Sequence, residues 1–182
     1  MKRSLTIFMI FVFSMSYINA AEWIEVKQQY INNELTITPQ FNLTVSEKIE
    51  EAINNGIVIT FVAQANLKQE VDWWIDPVVS KKIQTFQLRY FSLSRQYQLF
   101  NTQTKTKQSF VTFEQILNHL FKNTVFTFKP STLGNYVETR LFLDKQALPS
   151  TMQLPIVFDQ DWNINSDWQR VKITPQKETQ QP

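Results

Sequence analysis

Two arginine–tyrosine groups lie close together near the middle of the chain, Arg89-Tyr90 and Arg95-Gln96-Tyr97, and a later strand-like segment adds Tyr136 and Arg140. The planar donor fork of arginine and the amphipathic ring of tyrosine bind other proteins at low entropic cost, so these residues are the first candidate for a partner-binding surface. The same mix also serves cross-strand pairing on a sheet face. A second constellation is Asp72-Trp73-Trp74-Ile75-Asp76. Tryptophan beside aspartate suits sugar stacking with hydrogen bonding, and two carboxylates about 5–10 Å apart are what glycoside hydrolysis needs. Adjacent tryptophans on a strand point to opposite faces, so only one could line a groove. The plainer account is a packing pair flanked by turn-capping aspartates.

The third group is Asp159, Asp161 and Asn163, whose alternating oxygen side chains match the first three positions of a calcium loop. The match then fails, because Ile164 stands where the sharp turn wants glycine and Arg170 stands where the bidentate glutamate belongs. Other chemistry is poorly supported. The chain has one histidine, His119, and no cysteine, so the usual zinc ligand sets cannot be assembled. His119 falls beside Gln115, Asn118 and Lys122 and is expected on the wet side of its helix. Neither a Gly-x-Ser-x-Gly elbow nor a glycine-rich phosphate loop occurs, so no enzymatic activity and no cofactor are expected.

The elements that must position these groups are mostly strands. Residues 23–27 and 35–38 alternate apolar and polar around an Asn32-Asn33 turn. Thr44 and Glu47 have capping-box spacing before a helix that Asn55-Gly56 would close in a left-handed cap. Residues 57–63 are apolar at nearly every position, as expected of a central strand buried on both faces. A short strand over residues 71–75 would stop at Pro77, and residues 83–91 with 97–101 read as a hairpin turning at 92–95. Residues 102–109 are polar. Thr112 and Gln115 open a second short helix, and strands follow at 124–129, 136–143 and 168–173. With about nine or ten strands, two small helices and no strand–helix–strand rhythm, the expected fold is a mainly β, antiparallel two-layer sandwich, with α+β as the alternative.

The start of the chain reads as an export signal: Lys2 and Arg3, an uncharged apolar run over residues 5–13, then small residues ending in Ala20-Ala21. Cleavage after Ala20 or Ala21 is expected, leaving one domain over residues 21–173 and a disordered polar tail over 174–182. The whole chain carries 18 basic and 16 acidic residues. Without Lys2 and Arg3 the balance is 16 to 16, which removes the charge argument for nucleic acid. A membrane contact would come only through an uncleaved signal segment. Two glycines in 182 residues argue against flexible linkers.

Several of these pieces, in this order, resemble the bacterial exported proteins of domain-of-unknown-function family 4390. They are residues 51–61 after the first helix, Asp72-Trp73-Trp74-Ile75-Asp76, the 88–97 hairpin, residues 136–140 leading into Leu143-Asp144-Lys145-Gln146-Ala147-Leu148-Pro149, then Asp161-Trp162 and Asp167-Trp168. The resemblance implies a Gram-negative source and a periplasmic location, with no established activity or catalytic residues. It also implies company with a membrane sensor kinase of the nitrogen-regulation type, since members are often encoded beside one. The expected role is a non-catalytic binding or signalling accessory, with a glycan or cell-wall module as the alternative.

Overall fold

The computed structural model describes residues 22–23, 26–72, 75–129 and 134–174. Residues 1–21, where the export signal is expected, Trp73, Trp74 and residues 175–182 of the expected tail lie outside the described residues. The strands are β1 (Glu22–Trp23), β2 (Lys27–Ile31), β3 (Glu34–Thr38), β4 (Ile59–Lys68), β5 (Val78–Phe91), β6 (Gln96–Asn101), β7 (Lys107–Phe110), β8 (Phe126–Phe128), β9 (Tyr136–Leu143) and β10 (Gln169–Lys172). The helices are α1 (Glu47–Asn54), α2 (Phe113–Asn123) and α3 (Ser150–Ile156).

Seven strands form one sheet in the order β1-β10-β9-β4-β5-β6-β7, and β2-β3-β8 form a second. The mainly β, two-sheet architecture is therefore as expected. Every strand pair is antiparallel except β1 with β10. As expected, β4 is the central strand, flanked by β9 and β5 and buried along nearly its whole length.

The registers of β4 with β5 and β9 divide the large sheet into two faces. Ile59, Phe61, Ala63, Ala65 and Leu67 share one face with Leu88, Leu141 and Val137, and this inner face packs into a single core with Leu35, Ile37, Phe126 and Phe128 of the small sheet. Helix α1 lies against β5 and α2 against β6 and β7 on the same core. The outer face carries Gln64, Asn66, Glu138 and Tyr136, all buried although mostly polar.

Several local expectations need correction. Residues 71–72 and 75–77 are a loop rather than a strand, closed by Gln69 N–H to the Pro77 carbonyl (3.2 Å) and by Val71 N–H to Asp76 Oδ1 (3.0 Å). Strand β5 begins at Val78, ahead of the expected 83, because polar Ser80, Lys81 and Lys82 pair with the far end of β4. The polar stretch holds β7, whose Lys107-Gln108-Ser109 run is readable only as an edge strand with little to bury. The strand expected over residues 23–27 is instead two pieces, with Trp23 joining Glu22 in β1 and β2 starting at Lys27.

Helix α1 is capped by Ser46, not Thr44, and Ser46 donates its hydroxyl to the Asp161 carbonyl at 3.0 Å instead of closing a capping box. At α2, Thr112 does accept Gln115 N–H, while the Gln115 side chain reaches Val111 N–H. A third helix, α3, went unread because seven residues containing Pro155 are too short to show a helical period. The turns came out as read: Asn32 and Asn33 both adopt positive φ (50° and 63°), and Gly56 (φ 89°) ends α1.

Gly134 approaches the core so closely that a Cβ there would lie 2.5 Å from Leu67 Cγ, and Leu67 is buried. Gly134→Ala is expected to destabilise the fold by about 1–3 kcal/mol through overpacking. Urea unfolding of the two proteins checks this, and an unchanged midpoint would mean that the contact relaxes freely.

Candidate functional site

The arginine–tyrosine constellation divides into separate places. Through β4, Tyr136 is level with Val78, at the opposite end of β5 from Tyr90. That separation is about 35–40 Å along the strand. Arg140 is level with Gln64 and Ile83, roughly 20 Å short of Arg89. One surface made of all these residues is therefore corrected to a hairpin group and a sheet-face group.

In the hairpin group, the β4 pairing ends at Leu88, and Arg89, Tyr90 and Phe91 pair only with β6. Tyr97 is buried (7 % exposed) and donates its hydroxyl to Asn54 Oδ1 of α1 at 2.7 Å. Burial raises its phenol above the ordinary value. Its ring lies 4.9 Å from Tyr90 and 5.8 Å from Phe113 of α2. Tyr97 is thus a positioning residue, and its assignment to a contact surface is corrected. What faces solvent is Arg89, Phe91, Arg95 and Leu93, the last fully exposed at the tip of the turn. Phe91 and Leu93 were missed, since apolar residues at a turn read as packing until the turn is seen to project.

Arg95 has φ 52°, a left-handed conformation that costs a side-chain-bearing residue roughly 1–2 kcal/mol relative to its usual region. Arg89 Nη2 donates to Gln87 Oε1 (3.1 Å), which leaves the rest of its fork toward solvent. Neither arginine has a carboxylate partner among the described residues.

On the outer face, Tyr136 is 2 % exposed and donates its hydroxyl to Asp76 Oδ2, so it too is corrected from partner contact to structural anchor. Asp76 is held twice, by Tyr136 and by Val71 N–H, and these donors keep its carboxyl below the ordinary value. Of the glycan candidates, Asp76 is committed to closing its loop and Asp72 is exposed in a turn. Arg140 is stacked between Phe142 and Trp168, 4.6 and 4.5 Å from their ring centres, and donates to Gln64 Oε1 at 3.2 Å.

The calcium candidates are already engaged. Lys48 of α1 places its ammonium 2.9 Å from Asp159 and 2.7 Å from Asp161, while Asp159 Oδ1 accepts Asp161 N–H. The lysine sits where a cation would, which holds the Asp159 carboxyl low and raises the Lys48 ammonium. Asn163 instead lines a cleft beside Arg140. His119 is half-buried rather than wet, 5.2 Å ring to ring from Phe110, and desolvation lowers its pKa.

A family model described as Domain of unknown function (DUF4390) matches residues 20–172. The chain belongs to that family. No curated protein and no solved structure matches it. In this DUF4390 chain the match runs from Ala20 to Lys172, the last residue of β10, so hairpin, loop 69–77 and cleft all fall inside it.

The Asp76 anchor has a pH signature. Because its folded pKa is depressed, its contribution is complete above the ordinary value of 3.8 and is lost as pH falls through the lower folded value. Asp76→Asn removes that contribution, so the stability gap between wild type and variant is expected to narrow from neutral pH to about pH 3. Unfolding midpoints at the two pH values check this. A gap that stays constant or widens would contradict the anchoring role.

Proposed function

We propose that this chain is an exported, non-catalytic binding module of the periplasm that holds a protein partner with the tip of the β5–β6 hairpin. The observation that carries the reading is the fully exposed Leu93 beside Phe91, flanked by the unpaired cations Arg89 and Arg95. Apolar anchors ringed by arginine are the residue types enriched where binding energy concentrates. The root of the hairpin is fixed by the Tyr97–Asn54 hydrogen bond and the Tyr90–Tyr97 ring contact, so the tip is held in shape before a partner arrives. Arg95 supports the reading independently, because glycine would fit its left-handed backbone with less strain.

Export rests on the charged and apolar pattern of residues 1–21, and without cysteine the domain's stability comes from packing rather than disulfides. The partner class we propose is the outer portion of a membrane sensor, in keeping with the company that members of the family keep. Two exposed apolar side chains are few for stable seating in a lipid interface, which favours protein over membrane.

A photo-crosslinking residue at Leu93 in intact cells is expected to capture one specific protein from the periplasm or membrane. The same residue at Gln29, on the small sheet, is expected to capture none. Arg89→Ala with Arg95→Ala should reduce capture at least about tenfold while leaving thermal unfolding within a few degrees. Arg95→Gly should reduce capture while stability stays level or rises by up to about 1 kcal/mol. Undiminished capture in the double variant, or adducts only with lipid, would overturn the reading.

A further inference from the structure

The chain leaving β9 bends away from the sheet and encloses a cleft of about 440 Å³ with the segment before β10. Its polar lining is Arg140, Asp144, Lys145, Gln146, Asn163 and Asn165, over an apolar floor that includes Val62 and Ile164. The volume lies in the range of small-ligand pockets, and an apolar floor with a few convergent polar groups is the usual composition of one.

Arg140 is the unusual member. Its guanidinium lies against the rings of Phe142 and Trp168, has no carboxylate partner among the described residues, and buries an Nε with no hydrogen-bond partner among them. The contrast with Arg170, two strand positions from Arg140's own register, is instructive. Arg170 pairs its Nε with Glu138 at 2.9 Å, as a partly buried guanidinium ordinarily does. A donor left unmade at a buried site is costly, and because that Nε is itself shut off from solvent, a carboxylate would meet the guanidinium at its terminal nitrogens.

The charge of the lining selects among anions. Within the lining Arg140 and Lys145 are countered only by Asp144, whose Oδ1 accepts Gln146 N–H at 3.0 Å, while Asp159 lies near enough to Lys145 to feel its charge. The lining's net single positive charge is neutralised by a monoanion and overcompensated by a dianion. The three side-chain amides, Gln146, Asn163 and Asn165, offer both donors and acceptors to the rest of a ligand.

We propose that this cleft is a binding site for a small monocarboxylate with a polar, amide- or hydroxyl-bearing body, of the size of a dipeptide or one acidic sugar. Arg140 receives the carboxylate, Lys145 adds field, and the amides hold the body. The site is distinct from the hairpin tip and does not depend on the hairpin reading.

Calorimetric titration of the full exported chain tests it with matched probes: N-acetyl-dialanine against its C-terminal amide, glucuronate against glucose, and inorganic phosphate. One of the two carboxylates is expected to bind at least about tenfold more tightly than its neutral match, and the pair that shows this separates a peptide from a sugar source. Phosphate is expected to bind more weakly than that carboxylate. Arg140→Lys should weaken binding about tenfold or more, because an ammonium cannot reproduce the fork. Lys145→Ala, at a residue with no ion pair among the described residues, keeps the test open should Arg140→Lys fail to fold, and should weaken binding about threefold. Equal binding of charged and neutral probes, tighter binding of phosphate, indifference to both variants, or no heat with any carboxylate at about 10 mM would each overturn the proposal.

Discussion

The carboxylate of Glu138, 5 % exposed in the middle of β9, is held by Lys68 Nζ of β4 at 2.8 Å and Arg170 Nε of β10 at 2.9 Å. A buried charge is tolerable only with such partners, and losing one of them typically costs about 3–5 kcal/mol. The three residues tie β4, β9 and β10 side by side on the outer face of the sheet. They also fix register, because a one-residue slip of β9 would turn Glu138 into the apolar core and Val137 and Leu141 out of it. Next to them Arg140, Gln64 and Asn66 continue a line of hydrogen bonds, so the polar face of the central strands is specified as closely as the apolar one.

Both candidate sites follow from how β4 pairs with its two neighbours, β5 and β9. Strand β5 has 14 residues against 10 in β4, and the pairing fixed at Ile59 with Leu88 leaves the last three residues of β5 projecting with β6 alone. The projection becomes a firm surface because Tyr97 hydrogen-bonds α1 and stacks toward α2 from the inner side. At the same end of the sheet β9 stops at Leu143 opposite Phe61, short of the start of β4, and Asp144 N–H reaches the Thr60 carbonyl at 2.8 Å. The chain turning there forms the cleft around Arg140.

The regular parts of this arrangement were legible in the sequence for identifiable reasons. β4 announces itself by unbroken apolar residues, β9 by its Tyr136–Leu143 run, and the Asn32-Asn33 and Asn55-Gly56 turns by residues that tolerate positive φ. Polar strands were not legible: Lys107–Phe110 and the first residues of β5 have no apolar period, and only pairing with a neighbour makes them strands. The same limit governs the sites. Arg89, Arg95 and Arg140 were singled out by type, but type does not say which face a strand residue occupies or how far apart two strands hold their ends. Tyr97 and Tyr136 read as contacts and are anchors, because their partners, Asn54 and Asp76, are 43 and 60 residues away. Leu93 carries no signal until the hairpin that displays it is in place.

The central claim is that the β4–β5 pairing and the Tyr97 anchor hold the hairpin as a preformed, rigid projection. Amide hydrogen exchange of the free protein measures this directly, residue by residue along β5 and β6. Protection of the Arg89, Tyr97 and Gln98 amides, which point into the β5–β6 and β6–β7 ladders, within about 1–2 kcal/mol of those in β4, falling away only at residues 92–95, is the result this account requires. Exchange at Arg89, Tyr97 and Gln98 as fast as in an open loop would show a fraying hairpin and contradict it.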